Sequence, residues 1–120
     1  MKKILIVDDQ ELYLNSLAFA LRKYFDICLA KSKEDALSKL QSDIDIALID
    51  IRLNEVEGDN IDGIELLEWI AMNKPSVVVF MMSAYREFTY AEQSLNLGAR
   101  HFFRKPIDII SLLAILKGKS

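Results

Sequence analysis

Five short apolar runs recur along the chain, at Lys3–Val7, Ile27–Ala30, Ile44–Ile49, Val77–Met82 and His101–Phe103. Within them Ile4–Val7, Ala47–Ile49 and Val77–Met82 are continuously apolar instead of alternating, the pattern of strands covered on both faces of a parallel sheet. Helical spacing fills the intervals. Leu14, Leu17, Ala18, Leu21 and Phe25 make one stripe at i, i+3, i+4, i+7 and i+11. Ser32 predicts an N-cap, with Asp35 standing in for the capping-box glutamate and Ala36, Leu37 and Leu40 following. Asp62-Gly63 opens a third helix carrying Ile64, Leu67 and Ala71, and Pro75 stops it. Phe88, Ala91 and Leu95 mark a fourth helix closed by Gly98, and Ile109, Leu112, Leu113 and Leu116 mark a fifth. The order is therefore strand then helix, five times over. Right-handed crossovers turn that order into an α/β fold, a doubly wound five-stranded parallel sheet with helices on both faces. With no internal repeat, low-complexity tract or linker, residues 1–120 read as one domain.

Composition narrows the picture only a little. A hydrophobic content of 52% with 28% charged residues is that of a globular chain. The net charge of −3 argues against a basic face gripping nucleic acid. The apolar start is interrupted by Asp8 and Asp9, well short of a signal segment, and no run is long enough to span a bilayer. Cys28 is the single cysteine and reads as a small apolar strand residue, which suits a reducing cytoplasm.

Ligands of doubly wound sheets bind outside the carboxyl ends of the strands. The residues at those ends are Asp8-Asp9, Asp50, Ser83 and Lys105-Pro106. Each has an ordinary explanation by itself: an aspartate after a strand caps a turn, a serine is a loop hydroxyl, a lysine is a solvated charge. Their conjunction at four of five strand ends is harder to explain by capping. Clustered carboxylates repel and call for a cation, and Mg²⁺ (or Mn²⁺) takes oxygen ligands from one or two carboxylates plus phosphate. Aspartate is also a nucleophile that forms acyl phosphates. Phosphoryl transfer needs a metal, an ammonium and a hydrogen-bond donor around the equatorial oxygens, and Asp8/Asp9, Lys105 and Ser83 supply one of each.

The segments ILIVDDQ (4–10), ALIDIRL (47–53), DGIELL (62–67), MMSAY (81–85) and LGARHFFRKPID (97–108) resemble the receiver domains of two-component response regulators along essentially the whole chain. That resemblance implies a flavodoxin-like sheet of strand order 2-1-3-4-5. It implies Asp50 as the phosphoacceptor, served by a histidine kinase, with Mg²⁺ held by Asp8 or Asp9, Asp50 and the backbone carbonyl of Arg52. It implies Ser83 and Lys105 as phosphate ligands, a cis bond before Pro106, and Phe102 as the switch aromatic. Arg52 and Tyr85 would tune the lifetime of the phosphoryl group. The face built from the fourth helix, fifth strand and fifth helix would then regulate a downstream protein or a linked effector domain. A homodimer through that face, and a place for residues 1–120 at the front of a longer regulator, are further expectations.

One stretch departs from the family pattern. Between Leu53 and Asp62 the chain runs Asn54-Glu-Val-Glu-Gly-Asp-Asn-Ile61, about five residues longer than the common form. It lacks the usual proline and carries Glu55, Glu57 and Asp59. A tolerated surface insertion is the simpler reading, since long loops cost little entropy. His101 and Trp69 read as packing residues. A haloacid-dehalogenase-like phosphatase would need a second aspartate where Arg52 stands. A flavodoxin-like cofactor site would find Asp8-Asp9 repelling its phosphate. The remaining alternative is a receiver-like interaction module that works without phosphorylation.

Overall fold

The computed structural model describes residues 1–54, 60–84 and 88–118. Its strands are β1 (Lys3–Val7), β2 (Asp26–Ala30), β3 (Ile46–Asp50), β4 (Val78–Ser83) and β5 (His101–Arg104). Its helices are α1 (Glu11–Leu21), α2 (Lys33–Lys39), α3 (Asp62–Asn73), α4 (Phe88–Asn96) and α5 (Ile109–Leu116). All four ladders are parallel and the strand order is β2-β1-β3-β4-β5, so the expected architecture is the observed one.

Two apolar cores flank the sheet, and strand parity decides which residue enters which. Leu5, Val7, Ala47, Ile49, Val79 and Met81 pack with Ala36, Leu40, Ile64, Leu66, Leu67 and Ile70 of the α2–α3 side. Ile4, Ile6, Ile46, Leu48, Phe80 and Met82 pack with Leu14, Leu17, Leu21, Leu112 and Leu116 of the α1–α5 side. Both faces are covered, which is why these strands read as unbroken apolar runs.

The element ends differ from the sequence reading for local reasons. Ile44 is buried but joins no ladder, so β3 begins at Ile46 and carries Asp50 as its last residue. β4 likewise reaches one residue further, to Ser83. Phe25 continues the helical stripe numerically, yet α1 stops at Leu21 and Phe25 folds back beneath it, its N–H donating to the Leu21 carbonyl at 3.1 Å. Ser32 caps α2 as expected, its Oγ accepting from Asp35 N at 3.0 Å. The Asp35 carboxylate pairs with Lys39 at 3.4 Å. Gly98, with φ +108°, closes α4 in the left-handed region where a Cβ is strained. Trp69 packs against the α2–α3 core, as does Cys28. His101 is exposed and sits 4.6 Å from the Phe103 ring.

Candidate functional site

Ladder register brings the strand-end residues to one level. Val7 pairs with Ile49, Asp50 with Met82 and Ser83 with Arg104, so Asp8, Asp50, Ser83 and Lys105 emerge along a single rim. The hydrogen bonding continues one step past each strand. Asp8 N donates to Ala30 O at 3.1 Å, Ile51 N to Met82 O at 3.1 Å, and Lys105 N to Ser83 O at 2.9 Å.

Parity then divides the set. Asp8, Asp50 and Lys105 continue the Ile6, Leu48 and Phe103 positions of the α1–α5 side, whereas Ser83 continues Met81 on the opposite side. In consequence Lys105 Nζ reaches Asp8 Oδ2 at 2.8 Å and Asp50 Oδ2 at 3.2 Å, all three being buried. Gln10 Oε1 accepts a further hydrogen bond from Nζ at 3.2 Å, and Asp8 Oδ1 accepts from Gln10 N at 2.9 Å. Ser83 is 1% exposed at the end of β4.

Carboxylates crowd this site. Asp8, Asp9 and Asp50 each offer a carboxylate oxygen, and these oxygens all lie within 4.8 Å of one another. The Lys105 ammonium meets two of these carboxylates, Asp8 and Asp50. Burial, and then the Asp8 charge, push Asp50 up to about 7 despite the pull of Lys105. Burial works against the Lys105 ammonium too, but Asp50 and Asp8 outweigh it and hold its pKa above the ordinary lysine value. A hard divalent cation is the group that such a donor set fits: oxygen ligands, excess negative charge, and a carboxyl that stays partly protonated at neutral pH until a cation displaces the proton. These three carboxylates could hold a metal ion.

Two residues anchor the backbone near Asp50 in ways the sequence did not announce. Gly63, in the first turn of α3, lies so close that a Cβ there would sit 2.0 Å from Asp50 O and 2.7 Å from Ile51 Cα. Its N–H donates to Ile51 O at 2.9 Å. The Asp62-Gly63 pair was legible as a helix start, but the need for glycine comes from this close approach. Asn60 is the second anchor. Its buried Oδ1 accepts from Leu53 N and from Asp62 N, both at 3.1 Å, stapling together the two ends of the long loop. Arg52, half-buried, thus lies in a backbone held on both sides.

A third missed residue is Tyr13 on α1. Its hydroxyl accepts from Ile107 N at 3.0 Å and its ring centroid is 4.6 Å from Lys105 Nζ. The alternation of the α1 stripe pointed to Leu14, and nothing marked its neighbour. Phe102 is half-buried against the α2–α3 core, paired in register with Met81. The Lys105–Pro106 bond is cis. Tyr85, Glu55, Glu57 and Asp59 lie outside the described residues. Among the described residues no helix is long and apolar enough to cross a membrane.

Residues 4–117 match the response regulator receiver domain family. The transcriptional regulatory protein ZraR of Escherichia coli (strain K12) is 33% identical over 116 residues, covering 95% of this chain and 25% of that protein. The chain thus spans about a quarter of the length of that curated relative. Among solved structures, a response regulator receiver domain protein (CheY-like) from Methanospirillum hungatei JF-1 superposes with a TM-score of 0.88 at 31% identity, covering 98% of this chain and 92% of that one. A response regulator protein from Burkholderia pseudomallei, described with a phosphorylated aspartic acid and a calcium ion, superposes with a TM-score of 0.82 at 25% identity over 95% of this chain and 65% of that one.

Proposed function

The chain belongs to the response regulator receiver domain family, and on that premise we propose that it is a phosphorylation switch in which Asp50 takes a phosphoryl group from a histidine kinase. The observation that carries this reading is Lys105 Nζ held 2.8 Å from Asp8 and 3.2 Å from Asp50, with Asp9 completing a trio of carboxylates. An Asp50 carboxylate oxygen attacks the phosphorus of the donor. The P–N bond to the kinase histidine breaks, its electron pair leaves with the imidazole nitrogen, and an acyl phosphate remains on Asp50. Mg²⁺, when bound by Asp8, Asp9, Asp50 and the Arg52 carbonyl, supplies charge neutralisation for the phosphoryl oxygens. Lys105 offers its ammonium to the same oxygens, and the Ser83 hydroxyl donates a hydrogen bond from the other side.

The contacts of Ser83 and Lys105 to phosphate exist only after transfer, so they favour whichever conformation makes them. That bias would pass to Phe102 and the face of α4, β5 and α5, which then engages a downstream protein, a linked effector domain or a second copy. Arg52 and Tyr85 stand where side chains would govern access of the hydrolytic water. Residues 1–120 act on this reading as one receiver domain, working in the cytoplasm, with any contact to nucleic acid left to another domain. The family consists of signalling switches and not of conventional enzymes, and the chemistry here is limited to the chain's own phosphorylation and dephosphorylation.

Intact mass after incubation with acetyl phosphate tests the reading, with and without Mg²⁺, on wild type and Asp50→Asn. The expected result is one phosphate adduct that requires both Mg²⁺ and Asp50. A folded protein that takes no phosphate from acetyl phosphate or from a histidine kinase would overturn it.

A further inference from the structure

Lys105 raises a positional problem that its two carboxylates do not solve. The last ladder pair of β5 is Ser83 with Arg104, and beyond it only Lys105 N, donating to Ser83 O at 2.9 Å, continues the sheet. Pro106 has no N–H to give. The next donor is Ile107 N, and it goes to the Tyr13 hydroxyl at 3.0 Å. The same tyrosine places its ring 4.6 Å from the Lys105 ammonium. One half-buried side chain from the first turn of α1 therefore grips the segment 105–107 at both its charged tip and its following backbone.

We infer that Tyr13 is a positioning residue for Lys105 in phosphoryl transfer, an assignment that rests on the function proposed above. Carboxylates attract an ammonium but do not select where it sits. Here Asp8 and Asp50 compete for it at 2.8 and 3.2 Å, and Gln10 adds a third acceptor at 3.2 Å. On transfer, Asp50 becomes an acyl phosphate and its negative charge moves outward onto the phosphoryl oxygens. The ammonium has to follow that charge without collapsing onto Asp8. An aromatic face attracts a cation with little demand on direction, so it supports the ammonium along the whole path. The hydroxyl meanwhile keeps the backbone that carries Lys105 tied to α1, so that the tip moves and the root stays.

The two halves of Tyr13 are separable. Tyr13→Phe keeps the ring and removes the acceptor for Ile107 N, and Tyr13→Leu removes both. At saturating acetyl phosphate and Mg²⁺, phosphorylation of Tyr13→Phe is expected to slow roughly threefold to tenfold, the worth of one hydrogen bond. Tyr13→Leu should slow roughly tenfold to a hundredfold as the cation–π contact goes too. A role in packing alone would lower stability without depending on the lysine, so the deciding measurement is a double-mutant cycle. In a Lys105→Ala background, Tyr13→Phe should cause no further slowing. Equal slowing in both backgrounds, or a wild-type rate for Tyr13→Phe, overturns the assignment while leaving the proposed function standing. A folded wild type that takes no phosphate at all overturns both. Should Tyr13→Leu fail to fold, the conservative Tyr13→Phe cycle decides the matter by itself.

Discussion

The two flanks of the site are built by different means. On the β3–α3 flank, what is held is the backbone around Asp50: Gly63 lets the first turn of α3 press against the Asp50 carbonyl, and the Asn60 side chain ties the backbone N–H groups of Leu53 and Asp62. On the β5–α5 flank, Lys105 is held by side chains, through Asp8, Asp50, Gln10 and the Tyr13 ring. Steric contact between backbones has no second arrangement to go to, because packed interiors deform little. A set of polar contacts around an ammonium can be redistributed when a new anion arrives. On the proposed function, the nucleophile Asp50 sits on the rigid flank and the responding cation Lys105 on the adjustable one, the division of labour a switch requires.

The comparison breaks most visibly at Gly63. Gly63→Ala should destabilise the fold by about 3 kcal/mol or more, since the Cβ has nowhere to go but into backbone, and phosphorylation should fall along with stability. Urea denaturation reads the first and acetyl phosphate labelling the second. A loss below about 1 kcal/mol would mean that α3 slides freely and that this flank is no more rigid than the other.

Next in size is a pH effect at Asp50. With a folded pKa of about 7 against an ordinary 3.8, the native state holds a proton that the unfolded chain has lost. Stability from this group is complete below 3.8 and declines as pH rises through about 7. In chelator, Asp50→Asn should therefore be more stable than wild type at pH 8, on the order of 2–3 kcal/mol, with the gap closing towards pH 4. Adding Mg²⁺ should stabilise wild type more than the variant. A pH-independent gap would contradict the account of Asp50 as a buried, under-compensated carboxylate.

Asn60→Ala should cost about 1–2 kcal/mol, because it strips the acceptor from two backbone N–H groups at the ends of the long loop. As on Gly63, rate and stability should drop together, whereas Tyr13→Phe on the other flank should cost only about 1 kcal/mol, one lost acceptor, with a slowing that depends on Lys105. Were Asn60→Ala to slow phosphorylation at unchanged denaturation midpoint, the two flanks would be alike. The smallest effect serves as a baseline. Ser32→Ala removes the α2 cap, remote from both flanks, and should cost about 1 kcal/mol with the phosphorylation rate unchanged.

Much of this was legible beforehand, and for an identifiable reason. Unbroken runs such as Ile4–Val7 and Val77–Met82 announce strands covered on both faces, and the helical stripes between them call for a parallel sheet, whose strand order came from the family resemblance. Asp8, Asp9, Asp50, Ser83 and Lys105 stood out because polar residues directly follow apolar runs. Asn60 and Tyr13 did not stand out, and Gly63 did so only as part of a helix start. Each lies off the strand ends, and each matters through contacts with residues distant in the chain or across a loop whose closure the sequence leaves open. Ile44 and Phe25 misled in the opposite sense, since both are buried yet belong to no strand or helix.

The sequence by itself determined the order of elements, the sidedness of each strand and the inventory of charged groups at the rim, all of which depend on local periodicity and residue chemistry. Only the tertiary structure decided which of those groups meet. Register and parity set Asp8, Asp50 and Lys105 on the α1–α5 side and Ser83 on the other, and the crossing of α1 brought Tyr13 to Lys105. Such meetings join residues as far apart as 8 and 105, and that separation is spanned by packing, which no local pattern encodes.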